Sequence, residues 1–320
     1  MNKNKNKTAT KKQRHVIDKI VISILRIIVI VIICMQIVIP LIISYANIYR
    51  PRRGFNQTPD NYGLKYDSVE YKTDDGIDLK GWFIESQTDK KSPGVLLVHG
   101  IGTNRSDLLD IGNLFFKNGY SVLLFDLRSH GLSDGKKVTF GFKEIMDVEA
   151  SLKFLSQQKN VDENKLGIYA ISLGASVSLL SAGQSEFTNN YAQALILDSP
   201  YARLSDMLKH QFPLHKGYVT PIPVFVAKWF SKVLIGSDIF AIEPIDVMRK
   251  LEKPVLFIHG AEDMMIPKEQ SRELYDEKIF GKKDLWMVPL THHLEGHKNM
   301  TKEYEKRIVE FFDQYLKVNP

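Results

Sequence analysis

The chain has 320 residues, 43 Lys/Arg against 37 Asp/Glu for a formal charge of +6, 44% hydrophobic residues and one cysteine, Cys34. That length holds one domain of about 250 residues plus a further segment, and a lone cysteine excludes an intrachain disulfide framework. Residues 1–53 carry 11 Lys/Arg against one acid, Asp18, which leaves −4 for residues 54–320 and removes the basic footprint of a nucleic-acid binder.

Residues 1–14 read as a basic polar tail without the apolar content to order itself. Residues 15–49 read as a transmembrane anchor. Within them Ile27 to Tyr49 is uncharged and dominated by Ile and Val, and as a helix it spans roughly 34 Å, enough for a hydrocarbon core of about 30 Å. Gln36 and Pro40 interrupt the run in a way membrane helices tolerate. A cleaved signal peptide ending near Ser44-Tyr-Ala46 is the rival, but the apolar region is too long for one. Ile33, not a small residue, precedes Cys34, unlike a lipoprotein signal. Eight Lys/Arg precede the uncharged run, from Lys3 to Arg26, and only Arg50, Arg52 and Arg53 follow it. That asymmetry predicts a cytoplasmic N-terminus and a C-terminal domain on the outer side, with membrane lipid as a partner through the helix.

Residues 50–65, with Arg, Gly, Asn and Pro, read as a linker, and residues 66–320 alternate strands with helices. Ser68–Thr73 and Leu79–Glu85 look like strands joined through Asp74-Asp75-Gly76. Gly94–Val98, Ser121–Phe125, Ala194–Leu197 and Pro254–Ile258 are short continuous apolar runs, as for strands buried on both faces. Helices are predicted at Leu108–Asn118, Glu144–Gln157, after Ser172, at Lys268–Lys278 and at Glu303–Leu316, with a last strand at Asp284–Val288. This rhythm predicts a mostly parallel α/β sheet covered on both faces, with functional groups gathered beyond the strand C-termini. Residues 201–253 break it. They contain Phe212–His215, Pro221–Pro223 and the aromatic-apolar Val224–Ile235, and read as a short helical cap that lines a substrate pocket or simply packs on the body.

The centre of the pattern is Lys165-Leu-Gly-Ile-Tyr-Ala-Ile-Ser172-Leu-Gly174. A strand that ends at a serine and turns directly into a small-residue helix presents the hydroxyl on a strained backbone clear of the sheet edge. The flanking small residues are Ala170 and Gly174, so the motif is A-x-S-x-G rather than G-x-S-x-G. A serine hydroxyl is unreactive without a base and an oxyanion binder. The N–H of Leu173 and that of Ile101, in Val98-His99-Gly100-Ile101-Gly102, are the candidate oxyanion donors, with His99 a loop-pinning residue. Asp263 follows the Pro254–Ile258 strand and is the candidate acid; its neighbour Glu262 points elsewhere, and Asp198 is the runner-up unless it caps the turn at Ser199-Pro200. For the base, His292, His293 and His297 all follow the last strand. With Glu295 they invite zinc, but they match neither H-E-x-x-H nor H-x-x-E-H.

The segments VLLVHGIGTNRSD, VLLFDLRSHGLSDG, GIYAISLGAS, LILDSPYARL and LFIHGAEDMMIP, in the order Ser…Asp…His, resemble the α/β-hydrolase superfamily over residues 66–318. The nearest resemblance is to bacterial serine aminopeptidase-like and cinnamoyl-esterase-like hydrolases. It implies an eight-stranded α/β-hydrolase sheet in which Arg128 and His130 shape a loop. It also selects His293, because relatives follow the base with Leu-Glu and open the last helix with a tyrosine, here Leu294-Glu295 and Tyr304. Ala170, Ser129 and His292 depart from the family pattern. The resulting expectation is a membrane-anchored serine hydrolase that cleaves a small acyl ester, thioester or amide with Ser172, His293 and Asp263 and needs no cofactor or metal. A peptidase or acyltransferase on the same residues, and a non-catalytic membrane-tethered binding module, are the alternatives; Ser172 itself excludes an aspartate nucleophile.

Overall fold

The structure, a computed structural model, describes residues 2–88, 90–211, 222–238 and 241–317. Eight strands form one sheet: β1 (Asp67–Lys72), β2 (Asp78–Ile84), β3 (Ser92–Val98), β4 (Ser121–Phe125), β5 (Val161–Ile171), β6 (Ala192–Asp198), β7 (Val255–Gly260) and β8 (Lys283–Val288). Their spatial order is β1-β2-β4-β3-β5-β6-β7-β8. Only β1–β2 and β2–β4 are antiparallel; the other pairs are parallel, so both faces must be covered.

Alternation along the strands divides the apolar residues between two cores. Leu96, Val98, Leu166, Ile168 and Ala170 face the layer of helices α3 (Glu144–Ser156) and α4 (Leu173–Gln184). Val95, Leu97, Tyr169 and Ile171 face α2 (Leu109–Lys117) and α11 (Thr301–Phe312). Between these come α5 (Glu186–Tyr191), α6 (Leu204–Gln211), α7 (Ile222–Ile235), α8 (Ile245–Met248), α9 (Glu269–Glu277) and α10 (Gly296–Asn299). Among its described residues the segment after β6 carries three helices and no strand; Phe212–His215 and Pro221 lie outside the described residues.

Two sequence expectations are revised. Helix α1 (Asn2–Ile48) runs back through the segment read as an unstructured tail, because adding turns to an existing helix avoids the nucleation cost and no Pro or Gly stops it. Its stretch His15–Ile48 is long and apolar enough to cross a membrane. Residues 50–65 are no free linker either. Ile48 is buried in the core beside α3 and α4, and its carbonyl accepts from the Val138 N–H at 2.9 Å. Arg52 donates to the carbonyls of Gly131 (3.3 Å) and Gly135 (2.9 Å), Asn104 donates to those of Arg53 and Gly54, and Tyr62 bonds Asp110. These partners lie about 50 or more residues away, so composition alone gave no sign of them.

The turn from β5 into α4 sets the geometry at the sheet's C-terminal edge. A Cβ on Gly174 would meet the carbonyl oxygens of His99 at 2.4 Å and Val98 at 2.6 Å, so only glycine lets α4 start against the end of β3. Gly174→Val should therefore force these backbones apart and cost at least about 3 kcal/mol. Urea or thermal unfolding of the purified variant would show it, and a midpoint equal to that of the wild type would contradict it.

Candidate active site

Ser172 closes β5 with φ 52° and ψ −123°, a strained conformation for a residue with a side chain. Its N–H donates to the Asp198 carbonyl at 2.8 Å, and its own carbonyl accepts from Ala175 (3.0 Å) and Ser176 (3.2 Å). Ala170, fully buried, pairs with Val98 and Leu197, so its methyl fits at the position where the G-x-S-x-G form carries glycine.

The structure brings together three residues that lie far apart in the chain. His293 Nε2 is 3.1 Å from Ser172 Oγ, and His293 Nδ1 is 2.6 Å from Asp263 Oδ2. With Nδ1–H donating to the carboxylate, Nε2 presents its lone pair to the serine hydroxyl. The loops after β7 and β8 emerge side by side because those strands pair in parallel, and they are pinned by Glu262 N–H to the Thr291 carbonyl at 2.9 Å. Asp263 Oδ1 also accepts the N–H groups of Met265 (2.8 Å) and Ile266 (2.9 Å). Burial pushes this carboxyl up, but hydrogen bonds from His259 and His293, the His293 charge and the Ile266 N–H outweigh it and hold the carboxylate far below its usual range.

His259 is the participant that sequence reading missed. It is fully buried on β7, one turn before the acid, with Nε2 3.3 Å from Asp263 Oδ2 and 2.9 Å from the Ile266 carbonyl. Both neighbours of Nε2 are acceptors, so Nε2 carries the proton and donates towards them, and Nδ1 accepts from Ser271 Oγ–H at 2.7 Å. Only the i, i+4 spacing of His259 and Asp263 hinted at this, and such spacing is common in strands and turns.

The loop after β3 approaches the serine closely: a Cβ on Gly100 would lie 3.1 Å from Ser172 Cβ. Leu173 opens α4, so its N–H has no intrahelical acceptor. Ile101 lies between Gly100 and Gly102 in that loop, which two neutral histidines hold. His99 Nδ1–H donates to the Gly100 carbonyl at 2.7 Å, and Nε2 accepts from the Leu127 N–H at 3.0 Å. His130 Nε2 accepts the Gly102 N–H at 3.1 Å, with Nδ1–H donating to the Arg128 carbonyl at 2.9 Å. Arg128 in turn joins Asp147 and Asp75 at 2.7–2.9 Å. Burial, then the neighbouring His130, pushes the His99 imidazole down to about 3, and burial lowers His130 as well.

The remaining candidates are placed elsewhere. The Asp198 carboxylate takes other partners, accepting from Ser199 Oγ at 2.9 Å and from the Tyr304 hydroxyl at 2.5 Å, while Tyr304 also pairs with Tyr169 at 2.7 Å. Burial raises this carboxyl. His292 Nδ1 meets the Glu262 carbonyl at 2.9 Å and His297 Nε2 meets Glu305 at 3.1 Å, so the three clustered histidines turn to three different partners.

Comparison with known proteins places this arrangement. The sequence profile described as "Serine aminopeptidase, S33" matches residues 89–249. The uncharacterized protein YqkD of Bacillus subtilis is 31% identical over 240 residues, covering 74% of this chain and 76% of that protein. An uncharacterized membrane protein of Saccharomyces cerevisiae is 26% identical, over 75% of this chain and 78% of its own length. Among solved structures, the Pyrococcus furiosus esterase Pf2001 superposes with a TM-score of 0.70 and 26% identity, over 84% of this chain and 98% of the esterase.

The two depressed histidines predict acid sensitivity. Below pH 6.5 an unfolded histidine binds a proton that folded His99 refuses until about pH 3, so the unfolded state is favoured progressively as pH falls. Unfolding free energy from urea titrations should drop by up to about 1.4 kcal/mol per pH unit from His99 alone below pH 6.5. A stability that is level or rising as pH falls from 6.5 to about 5, before most carboxylates titrate, would contradict this.

Proposed function

The chain belongs to the serine aminopeptidase (S33) family of α/β-hydrolases, and from that premise we propose that it is a membrane-anchored serine hydrolase that cleaves a carboxylic ester through an acyl-enzyme. One observation carries the reading: the His293 imidazole bridges Asp263 at 2.6 Å and the Ser172 hydroxyl at 3.1 Å. Ser172 Oγ attacks the acyl carbon while His293 Nε2 takes its proton, and Asp263 holds the tautomer and stabilises the imidazolium. The developing oxyanion is received by the N–H groups of Leu173 and Ile101. His293 then protonates the leaving alkoxide, and the same imidazole activates the water that releases the acid.

Helix α1 supplies the anchor, with the Lys-rich N-terminus in the cytoplasm and the hydrolase domain outside. The three arginines past the uncharged run have structural employment: Arg50 bonds Asn47 at 2.6 Å, Arg52 the carbonyls noted above, and Arg53 pairs with Asp107 at 3.3 Å. The N-terminal side still carries the larger number, eight Lys/Arg against these three. The family description favours a peptidase as the second reading, and ester preference is supported by the structural likeness to an esterase.

Ser172→Ala should abolish labelling by a fluorophosphonate probe and lower turnover of p-nitrophenyl butyrate at least about 1,000-fold; Asp263→Asn should lower it about 100- to 10,000-fold with the fold intact by circular dichroism. Persistent labelling of the Ser172→Ala protein ends the proposal. An aminoacyl p-nitroanilide turned over with higher kcat/KM than the ester shifts it to the peptidase reading.

A further inference from the structure

Helix α1 is exposed on all sides from His15 to Met35 and then lies along the body, with Pro40 and Ile48 buried. In that second part it packs against α7. The uncharged run, however, is Ile27–Tyr49. If only the free-standing part crossed the bilayer, Arg26 would sit near mid-membrane with Asp18 and Lys19 also inside, an expensive placement. If the uncharged run crosses, Arg26 and the preceding charges reach the cytoplasmic interface. The stretch Gln36–Tyr49, about 20 Å of helix, then carries α7 into the outer half of the same bilayer.

The surface of α7 suits that position. Phe225, Trp229 and Val233, spaced four apart, are 69%, 57% and 61% exposed, whereas Ser231 and Ile235 are buried. Lys228 and Lys232 border this stripe, and Lys228 pairs with Asp238 at 2.8 Å. A helix with an aromatic-aliphatic outer stripe edged by lysines is built for a lipid interface. Beside it α1 exposes Ile42 and Tyr45 at 61% and 55%. Leu132, Met264 and Leu290 are also exposed, in the loops after β4, β7 and β8 at the sheet's C-terminal edge. The anchor also ends at the site itself: a Cβ on Gly102 would lie 2.8 Å from an Arg50 guanidinium nitrogen.

We propose that the outer face of α7 docks in the outer leaflet of the bilayer that α1 spans, so that the Ser172 site takes its acyl ester from the membrane rather than from water. The substrate class is then a bilayer-resident amphiphile with an acyl ester near the headgroup level. This second clause rests on the serine-hydrolase reading; the docking clause does not.

The test uses the full chain reconstituted in phosphatidylcholine vesicles. Tryptophan emission is compared in vesicles of ordinary and of acyl-chain-dibrominated phosphatidylcholine, and the difference between wild type and Trp229→Tyr isolates residue 229. At least twofold quenching of that component by bromine is expected. An unquenched residue 229, including one shielded by a second copy of the chain on this face, overturns the docking. In a second arm, Phe225→Ser, Trp229→Ser and Val233→Ser are combined. Turnover of soluble p-nitrophenyl acetate should stay within twofold of wild type, while turnover of p-nitrophenyl palmitate carried in the vesicles falls at least tenfold. Undiminished palmitate turnover, or an equal loss on both esters, overturns the membrane-fed site. Were the Ser172 reading itself at fault, Ser172→Ala would turn over both esters while the quenching result stood unchanged.

Discussion

A collision avoided by one hydrogen atom governs the centre of this protein. Where β5 becomes α4, the first turn of the helix passes so near the end of β3 that the carbonyls of Val98 and His99 occupy the space of any side chain at position 174. The tight passage imposes the positive φ at Ser172, a strain of about 1–3 kcal/mol. The surrounding backbone holds it there: the Ser172 N–H is bound by β6 at Asp198, and its carbonyl by the first turn of α4. A strained residue persists only where its neighbours over-determine it, and here β3, β5 and β6, buried on both faces, do so.

A second constraint is electrostatic. A carboxylate whose side chain is shut away from water is tolerable only when donors replace its hydration. Asp263 has them in His293, His259 and the N–H groups of Met265 and Ile266. The same donors orient the residue, so the groups that make its burial possible also aim His293 at Ser172. Gly260 contributes through absence, since a Cβ there would lie 2.4 Å from the Thr291 carbonyl and force the β7 and β8 loops apart.

The long N-terminal helix is continuous with the body. Its last turn is buried at Ile48, the arginines after it grip the loops that follow β3 and β4, and Arg50 lies against the glycine that His130 holds. The end of the long apolar helix and the loop after β3 that carries Ile101 are therefore joined by direct contacts. A free linker would leave the domain unconstrained relative to the helix; residues 50–65 instead pack on the body.

The sequence by itself determined the sheet and the elements around it, because buried parallel strands must be continuous apolar runs and their turns need Gly, Asp and Pro; β4 begins and ends where the run Ser121–Phe125 does. It also placed Ser172, Asp263 and His293 each just past a strand end, where a doubly covered sheet leaves side chains accessible. Only the tertiary structure decided which carboxylate faces which imidazole. Asp198 and Asp263 both follow strands, yet Asp198 is turned to Tyr304 and Ser199 on the α11 side of the sheet. The contact of His259 with the acid, and the docking of residues 50–65, were not expected from the sequence. Local periodicity encodes which face of an element is buried, whereas contacts such as Arg52 to Gly131 or His293 to Ser172 join residues 79 and 121 positions apart, and nothing in either neighbourhood records the other.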